Sequence, residues 1–288
     1  MKTDRLGSAL AGLMTSVAAL TAAAQPPPVT SEFKLVWADE FEHDGAPNPA
    51  NWTYERGFVR NQELQWYQPE NAHVEHGLLV IEARREHVVN QAFDATSSDW
   101  QRSRPSAEYT SASLTTRGLH SFQYGRFEMR ARIDTRPGLW PAFWTVGVKG
   151  AWPSNGEIDI MEYYRGLLLA NLAWGGPERA HAIWADTRTP IRSFAANWSQ
   201  QFHVWRMDWD ADAIKLFVDD RLLNDVVLGR TTNQDGSGIN PFRQPHLIIL
   251  NLAIGSTGGD PAQTTFPARY EIDYVRVYQR LQKPLVVR

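Results

Sequence analysis

The sequence predicts an all-β chain closed as two packed antiparallel sheets, and three observations carry that expectation. Short alternating runs of β-branched and aromatic residues recur from Phe33 to Gln279, ended by Gly, Pro, Asn or Asp, and no long stretch has helical periodicity. Pairs of runs are separated by tight turn sequences at His76-Gly77, Asp210 to Asp212 and Asp219-Asp220, which mark hairpins and hence antiparallel pairing. No repeat of roughly 20 to 50 residues and no linker-like composition interrupts residues 31–280, which disfavours a propeller, a solenoid or two domains. So many strands close naturally as two packed sheets.

Along the chain, FKLVWADEF opens the folded region and AHVEHGLLVIEARRE reads as a hairpin about His76-Gly77. YTSASLTTRG and YGRFEMRARID follow. FHVWRMDWDADAIKLFVDDRLL holds strands separated by its two Asp-containing turns, and HLIILNLAIG and YEIDYVRVY complete the set. Ahead of them, residues 1–24 join Lys2 and Arg5 to a short apolar run that ends in small residues, the pattern of a secretory signal peptide cleaved after Ala24. That run is too short and too broken by Thr and Ser to anchor in a membrane. QPPPVT at 25–30 reads as a stiff spacer. One domain is expected over 31–280, since sandwiches of this size fold as a unit, with a tail over 281–288. The chain has no cysteine, so an exported protein must rest on its core or a metal ion. A net charge of -3 without blocks of like charge argues against a nucleic-acid partner, and a monomer free of the membrane is expected, in the periplasm or outside the cell. Twelve Trp, with 9 Tyr and 12 Phe, are a heavy aromatic load, part of which suits a binding surface.

Chemistry concentrates in GEIDIMEYY at 156–164. Residues two apart on a strand share a face, so Glu157 and Asp159 point together while Ile158 and Ile160 point away. Glu162 lies at an odd offset, and a one-residue bulge near Ile160-Met161 restores its parity; bulges occur beside active sites because they re-aim side chains. A solvated acidic face is the plain alternative, but like charges on one face repel and the segment is flanked by Trp140, Trp144, Trp152, Tyr163 and Tyr164. Bulged, Glu157 and Glu162 stand roughly 13 Å apart at the backbone, and side chains leaning together bring the carboxylates to about 5 to 6 Å. That separation suits a retaining glycosidase.

GEIDIMEY resembles the E-x-D-x-x-E signature of glycoside hydrolase family 16, in the bulged form of its laminarinase branch. LVWADEF, NQELQWY, GLLVIEARRE, YTSASLTTRG, FQYGRFEMRARI, GLWPAFWTVG, HLIILNLAIG and YEIDYVRVYQ resemble further blocks of that family in the same order, over nearly all of residues 33–279. The resemblance implies a concanavalin-like jelly roll with a cleft across its concave sheet, and a polysaccharide as partner. It implies Glu157 as nucleophile, Glu162 as acid/base and Asp159 between them as the group that tunes the nucleophile. It also implies substrate contacts at Trp140 and Trp144, which lie four apart on one face of an extended segment, and at Asn61, Glu63 and Arg126, where a solvated turn serves equally well as an explanation. Trp174 is expected as a further platform. No cofactor is needed for catalysis, while Glu40, Gly77 through its carbonyl, and Asp273 match positions of a structural calcium ion on the convex side.

Two departures bear on substrate. YYRGLLLANLAWGG shortens a loop and puts Ala173 or Asn171 where many laminarinases have a cleft histidine, and residues 177–199, with Trp184 and Trp198, have no family counterpart and read as a cleft-edge loop. A secreted endo-β-glucanase acting on β-1,3- or mixed β-1,3/1,4-glucan is the expectation. The alternatives are an agarase-like galactanase or a transglycosylase of the same family, and a non-catalytic glycan-binding sandwich. Only Lys149 and Arg165 are basic between Trp140 and Trp174, which disfavours a sulfated galactan.

Overall fold

Two eight-stranded antiparallel sheets face one another in the computed structural model, which describes residues 32–281. The expected leader over 1–24, the spacer over 25–30 and the tail from residue 282 lie outside the described residues. The convex sheet runs Arg221–Val227, Ala213–Val218, His203–Trp209, Gly125–Arg132, Ala268–Arg280, Leu78–Ala83, Ala72–Glu75, with Phe33–Asp39 also on the long strand Ala268–Arg280. The concave sheet runs Ala182–Ala185, Leu167–Gly175, Glu157–Tyr164, Leu139–Gly147, His246–Ile254, Ser113–Thr115, Thr53–Tyr54, with Arg188–Pro190 also on Leu167–Gly175. All three expected hairpins form. At the first, His76 and Gly77 both take positive φ, 54° and 77°, as a two-residue turn matched to strand twist requires.

Strand alternation decides what fills the space between the sheets. In His203–Trp209 every other residue is buried, so His203, Trp205, Met207 and Trp209 point inward and Val204, Arg206 and Asp208 outward. Phe127, Met129, Phe143, Ile158, Leu172, Trp205, Leu250 and Ile272 belong to one continuous core, each Phe or Leu contributing about 1.5–3 kcal/mol by leaving water.

The outward residues of the convex sheet pair by charge instead. Arg126 faces Asp208 in register and binds it through Nε and Nη2 at 2.7 and 2.9 Å, with its guanidinium 4.7 Å over the Phe33 ring. Arg126 therefore stands on the convex face and not at the sugar-binding surface expected of it. Phe127 and Met129 fill the core from the same strand, and parity sends Arg126 the other way.

Candidate active site

The strand Glu157–Tyr164 enters from Gly156, whose φ of 78° and whose place against Pro241 leave no room for a side chain. Beside Leu139–Gly147, Asp159 faces Trp144 and Met161 faces Phe143, so Ile160 has no partner. Beside Leu167–Gly175, Asp159 faces Asn171 and Glu162 faces Leu169, three steps against two. This is the expected bulge: Ile160 and Met161 both enter the core at 0% exposure, and Glu157, Asp159 and Glu162 line the same cleft.

That cleft encloses about 880 Å³. Trp152 Nε1 donates to Glu157 Oε2 at 2.7 Å, and Trp140 Nε1 donates to Glu162 Oε1 at 2.9 Å. Burial, reinforced by the charge of Glu157, pushes the Glu162 carboxyl up to about 7. Burial raises Glu157 as well, against the Trp152 hydrogen bond and the charge of Arg60. Asp159, 1% exposed, is raised well above the usual carboxylate range by burial and then by the charges of Glu162 and Glu157. Its buried Oδ2 has no hydrogen-bond partner among the described residues, and the carboxyls of Glu157 and Glu162 both act on it. Two glutamates of different proton affinity, separated by a carboxyl whose ionised form is disfavoured by burial and by both neighbours, can divide acid and nucleophile roles between them.

The profile of glycosyl hydrolases family 16 matches residues 61–276, which contain this strand and most of both sheets. The chain belongs to glycosyl hydrolase family 16. It is 37% identical to a beta-glucanase of Rhodothermus marinus over 86% of this chain and 85% of that one. The laminarinase catalytic domain of Thermotoga maritima superposes with a TM-score of 0.73 at 33% identity, over 87% of this chain and 99% of that one. A structure described with endo-acting O-glycanases that members of the human gut microbiota express to initiate mucin breakdown superposes with a TM-score of 0.80 at 35% identity, covering 88% and 94%. The protein is thus an O-glycosyl hydrolase of a family that retains anomeric configuration and needs no cofactor for catalysis.

Around the carboxylates, this family 16 cleft joins parts distant in sequence. Asn61, Glu63, Trp140 and Trp144 line it. Glu63, 2% exposed and raised by burial, accepts from Gln65 Nε2 at 2.7 Å, Tyr67 Oη at 3.1 Å and Asn61 Nδ2 at 3.3 Å. The chain of bonds continues from Asn251 Nδ2 to Tyr67 Oη at 3.1 Å and from Trp144 Nε1 to Asn251 Oδ1 at 2.7 Å. Trp144 is not a bare platform: the Arg60 guanidinium lies 5.0 Å from its ring centroid, held by Glu55, which also accepts from Ser113 Oγ at 2.6 Å. Arg60, Trp152 and Asn251 are cleft residues that the sequence did not assign, and Trp184 is one it placed only within a cleft-edge loop. Trp152 has a local signal, a tryptophan five residues before Glu157. The rest arrive by tertiary folding.

Trp174 is corrected. It is 7% exposed and meets the Phe242 ring edge-on, because on Leu167–Gly175 the cleft face belongs to Leu169 and Asn171 and even positions face the core. Of the positions proposed for the absent histidine, Asn171 stands beside Asp159 and Ala173 beside Glu157. The 177–199 segment supplies two short strands at the cleft edge, with Trp184 lining the cleft and Trp198 buried against His203 at 3.9 Å.

The expected calcium ligands do not fit an ion as arranged. Glu40 accepts from Arg276 Nε and Nη2, both at 2.7 Å, Asp273 accepts from Arg130 Nη1 at 2.6 Å, and Gly77 sits in its hairpin turn. No group of three or more His, Cys, Asp or Glu side chains able to hold a metal occurs among the described residues. With these carboxylates neutralised by arginine, EDTA is expected to leave the melting temperature unchanged. An ion present at a hundredfold excess over its Kd would contribute about 2.7 kcal/mol, so its loss would lower the melting temperature by roughly 5–10 °C, and a drop of that size restored by calcium refutes the expectation.

Proposed function

We propose that the protein is an endo-acting, retaining β-glucanase of the laminarinase type, cutting internal linkages of β-1,3- or mixed β-1,3/1,4-glucan. The observation that carries this is the bulge that turns Glu157, Asp159 and Glu162 onto one wall, each glutamate oriented by a tryptophan N–H. Glu157 attacks the anomeric carbon while Glu162 gives its proton to the glycosidic oxygen; the C–O bond breaks, the leaving sugar departs as an alcohol, and a glycosyl ester forms on Glu157. Esterification removes the charge that helped to hold the proton on Glu162, so the same group, now a carboxylate, can take a proton from the water that cleaves the ester. Asp159 keeps its own proton and offers it to Glu157, which stabilises the carboxylate as nucleophile and as leaving group.

The network of Glu63, Asn61, Asn251 and Trp144, with Arg60 laid on the ring, supports sugar binding at one end of the cleft. Sizing products from laminarin, lichenan, agarose and carrageenan tests the substrate: a spread of internal oligomers from laminarin or lichenan is expected, and faster release from agarose than from both glucans overturns it. Proton NMR of early hydrolysis tests the stereochemistry, with the β anomer appearing first; an initial α signal sinks the retaining scheme. Both glutamates are present, which speaks against a non-catalytic sandwich, and product distributions at high and low acceptor sugar separate hydrolysis from transglycosylation. The leader-like sequence over 1–24 supports export.

A second reading, a family 16 galactanase, draws on two observations. Folding brings Arg60, Arg117 and Arg188 to the cleft, cations that the stretch between Trp140 and Trp174 does not reveal. The likeness to the structure described with endo-acting O-glycanases has the higher TM-score, 0.80 against 0.73. A mucin glycan therefore belongs beside the four polymers.

A further inference from the structure

Register across the concave sheet lays the cleft residues in rows. One row runs Val146, Glu157, Ala173, Trp184, and another runs Ala142, Glu162, Leu169, Arg188. Asp186 lies in the link between the two short edge strands, Ala182–Ala185 and Arg188–Pro190, and pairs with Arg188, Nε to Oδ2 at 3.0 Å. Trp184 thus stands two strands from Glu157, roughly 10 Å at ordinary strand spacing. The side chain between them in the row is the methyl of Ala173, so nothing bulky separates the ring from the catalytic carboxylates.

An exposed indole needs a reason. Trp152 and Trp184, 46% and 43% exposed, are the tryptophans that stand most open among the described residues, and both line this cleft. Trp152 is explained by its bond to Glu157. Trp184 has no such partner, yet its backbone is fixed on both sides. Asn224 Nδ2 donates to the carbonyls of Ala170 and Ala185 at 2.7 and 3.0 Å, and Thr187 N donates to Asn171 Oδ1 at 3.0 Å. A flat apolar ring held open beside an accessible carboxylate and guanidinium matches a pyranose, which offers an apolar C–H face and polar hydroxyls at its edge.

We propose that Trp184, with Asp186 and Arg188 beside it, forms an outer subsite beyond the Leu167–Gly175 strand, one sugar removed from the cleavage point, which takes the apolar face of a neutral pyranose. The proposal rests on the cleft being a glycan-hydrolysing site but not on which glycan is cut, so it is tested on oligosaccharides of whichever polymer the enzyme depolymerises. Trp184→Ala should lower kcat/KM between about fivefold and a hundredfold on long oligosaccharides, mainly through KM, taking base stacking on aromatic rings as the analogue. The shortest oligosaccharides cleaved should be unaffected, and Trp184→Phe should keep most of the activity on long ones. An equal loss at every length would mark a structural role and overturn the proposal, as would no loss at any length. Affinity electrophoresis in gels cast with each polysaccharide reads binding without turnover: Trp184→Ala should migrate faster than wild type where wild type is retarded, and equal migration in every gel overturns the subsite. Failure of wild type to hydrolyse any polymer would count against the proposed function, leaving the gels to decide the subsite.

Discussion

Glu157→Gln and Glu162→Gln each lower kcat by at least about a hundredfold, the scale of a nucleophilic or general-acid contribution. Glutamine keeps a carbonyl oxygen to accept the N–H of Trp152 or Trp140, so the cleft geometry is preserved while the charge or the proton is lost. The two variants differ on substrates with good leaving groups. An aryl glycoside needs no protonation to depart, so the loss in Glu162→Gln shrinks there, whereas Glu157→Gln stays inactive because no ester can form. Azide should rescue Glu157→Ala with inverted product, a small anion entering the space the carboxylate leaves. More than a tenth of wild-type activity on polysaccharide in either glutamine variant would remove that residue from its proposed role.

The carboxylate strand was legible because its constraint is local. Glu157, Asp159 and Glu162 can share a face only through a one-residue bulge, and Ile160 and Met161 in the core are what that bulge requires. Local parity would also have excluded two expectations, Arg126, which rested on family position, and Trp174, which was read as a flat sugar platform. Arg126 alternates with Phe127 and Met129, and Trp174 has the opposite parity to Asn171. Arg60 on Trp144 was not readable in the same way, because the two residues lie 84 positions apart in the chain and meet only once a loop folds over the concave sheet. The calcium ligands were likewise read from matched positions alone. Arg130 and Arg276 lie on the same sheet face as the expected ligands and neutralise them, a competition that no single motif shows.

Above neutral pH the active site lowers the stability of the fold, and Glu162→Gln should relieve it. The Glu162 carboxyl titrates at about 7 in the folded protein, against 4.5 ordinarily, because burial and the Glu157 charge disfavour its ionised form. The folded state therefore binds the proton more tightly than the unfolded chain between those values. Stability falls as pH rises through that window, and the cost is full above about 7, where it reaches up to about 3 kcal/mol. Glutamine has no proton to lose. At pH 8.5 the variant should melt higher than wild type by up to roughly 10 °C, and at pH 4, where Glu162 is protonated in both states, the two should converge. Activity reports the same group with the opposite consequence for function: kcat/KM of wild type should fall as pH rises through about 7, when the general acid is lost, and fall again on the acid side as Glu157 takes up a proton. A melting difference independent of pH would show that the variant acts by packing, and an activity profile flat across pH 7 would remove Glu162 as the acid. If the loss of stability levels off near the pH at which activity is halved, the carboxyl whose ionisation weakens the fold is the one whose proton drives the reaction.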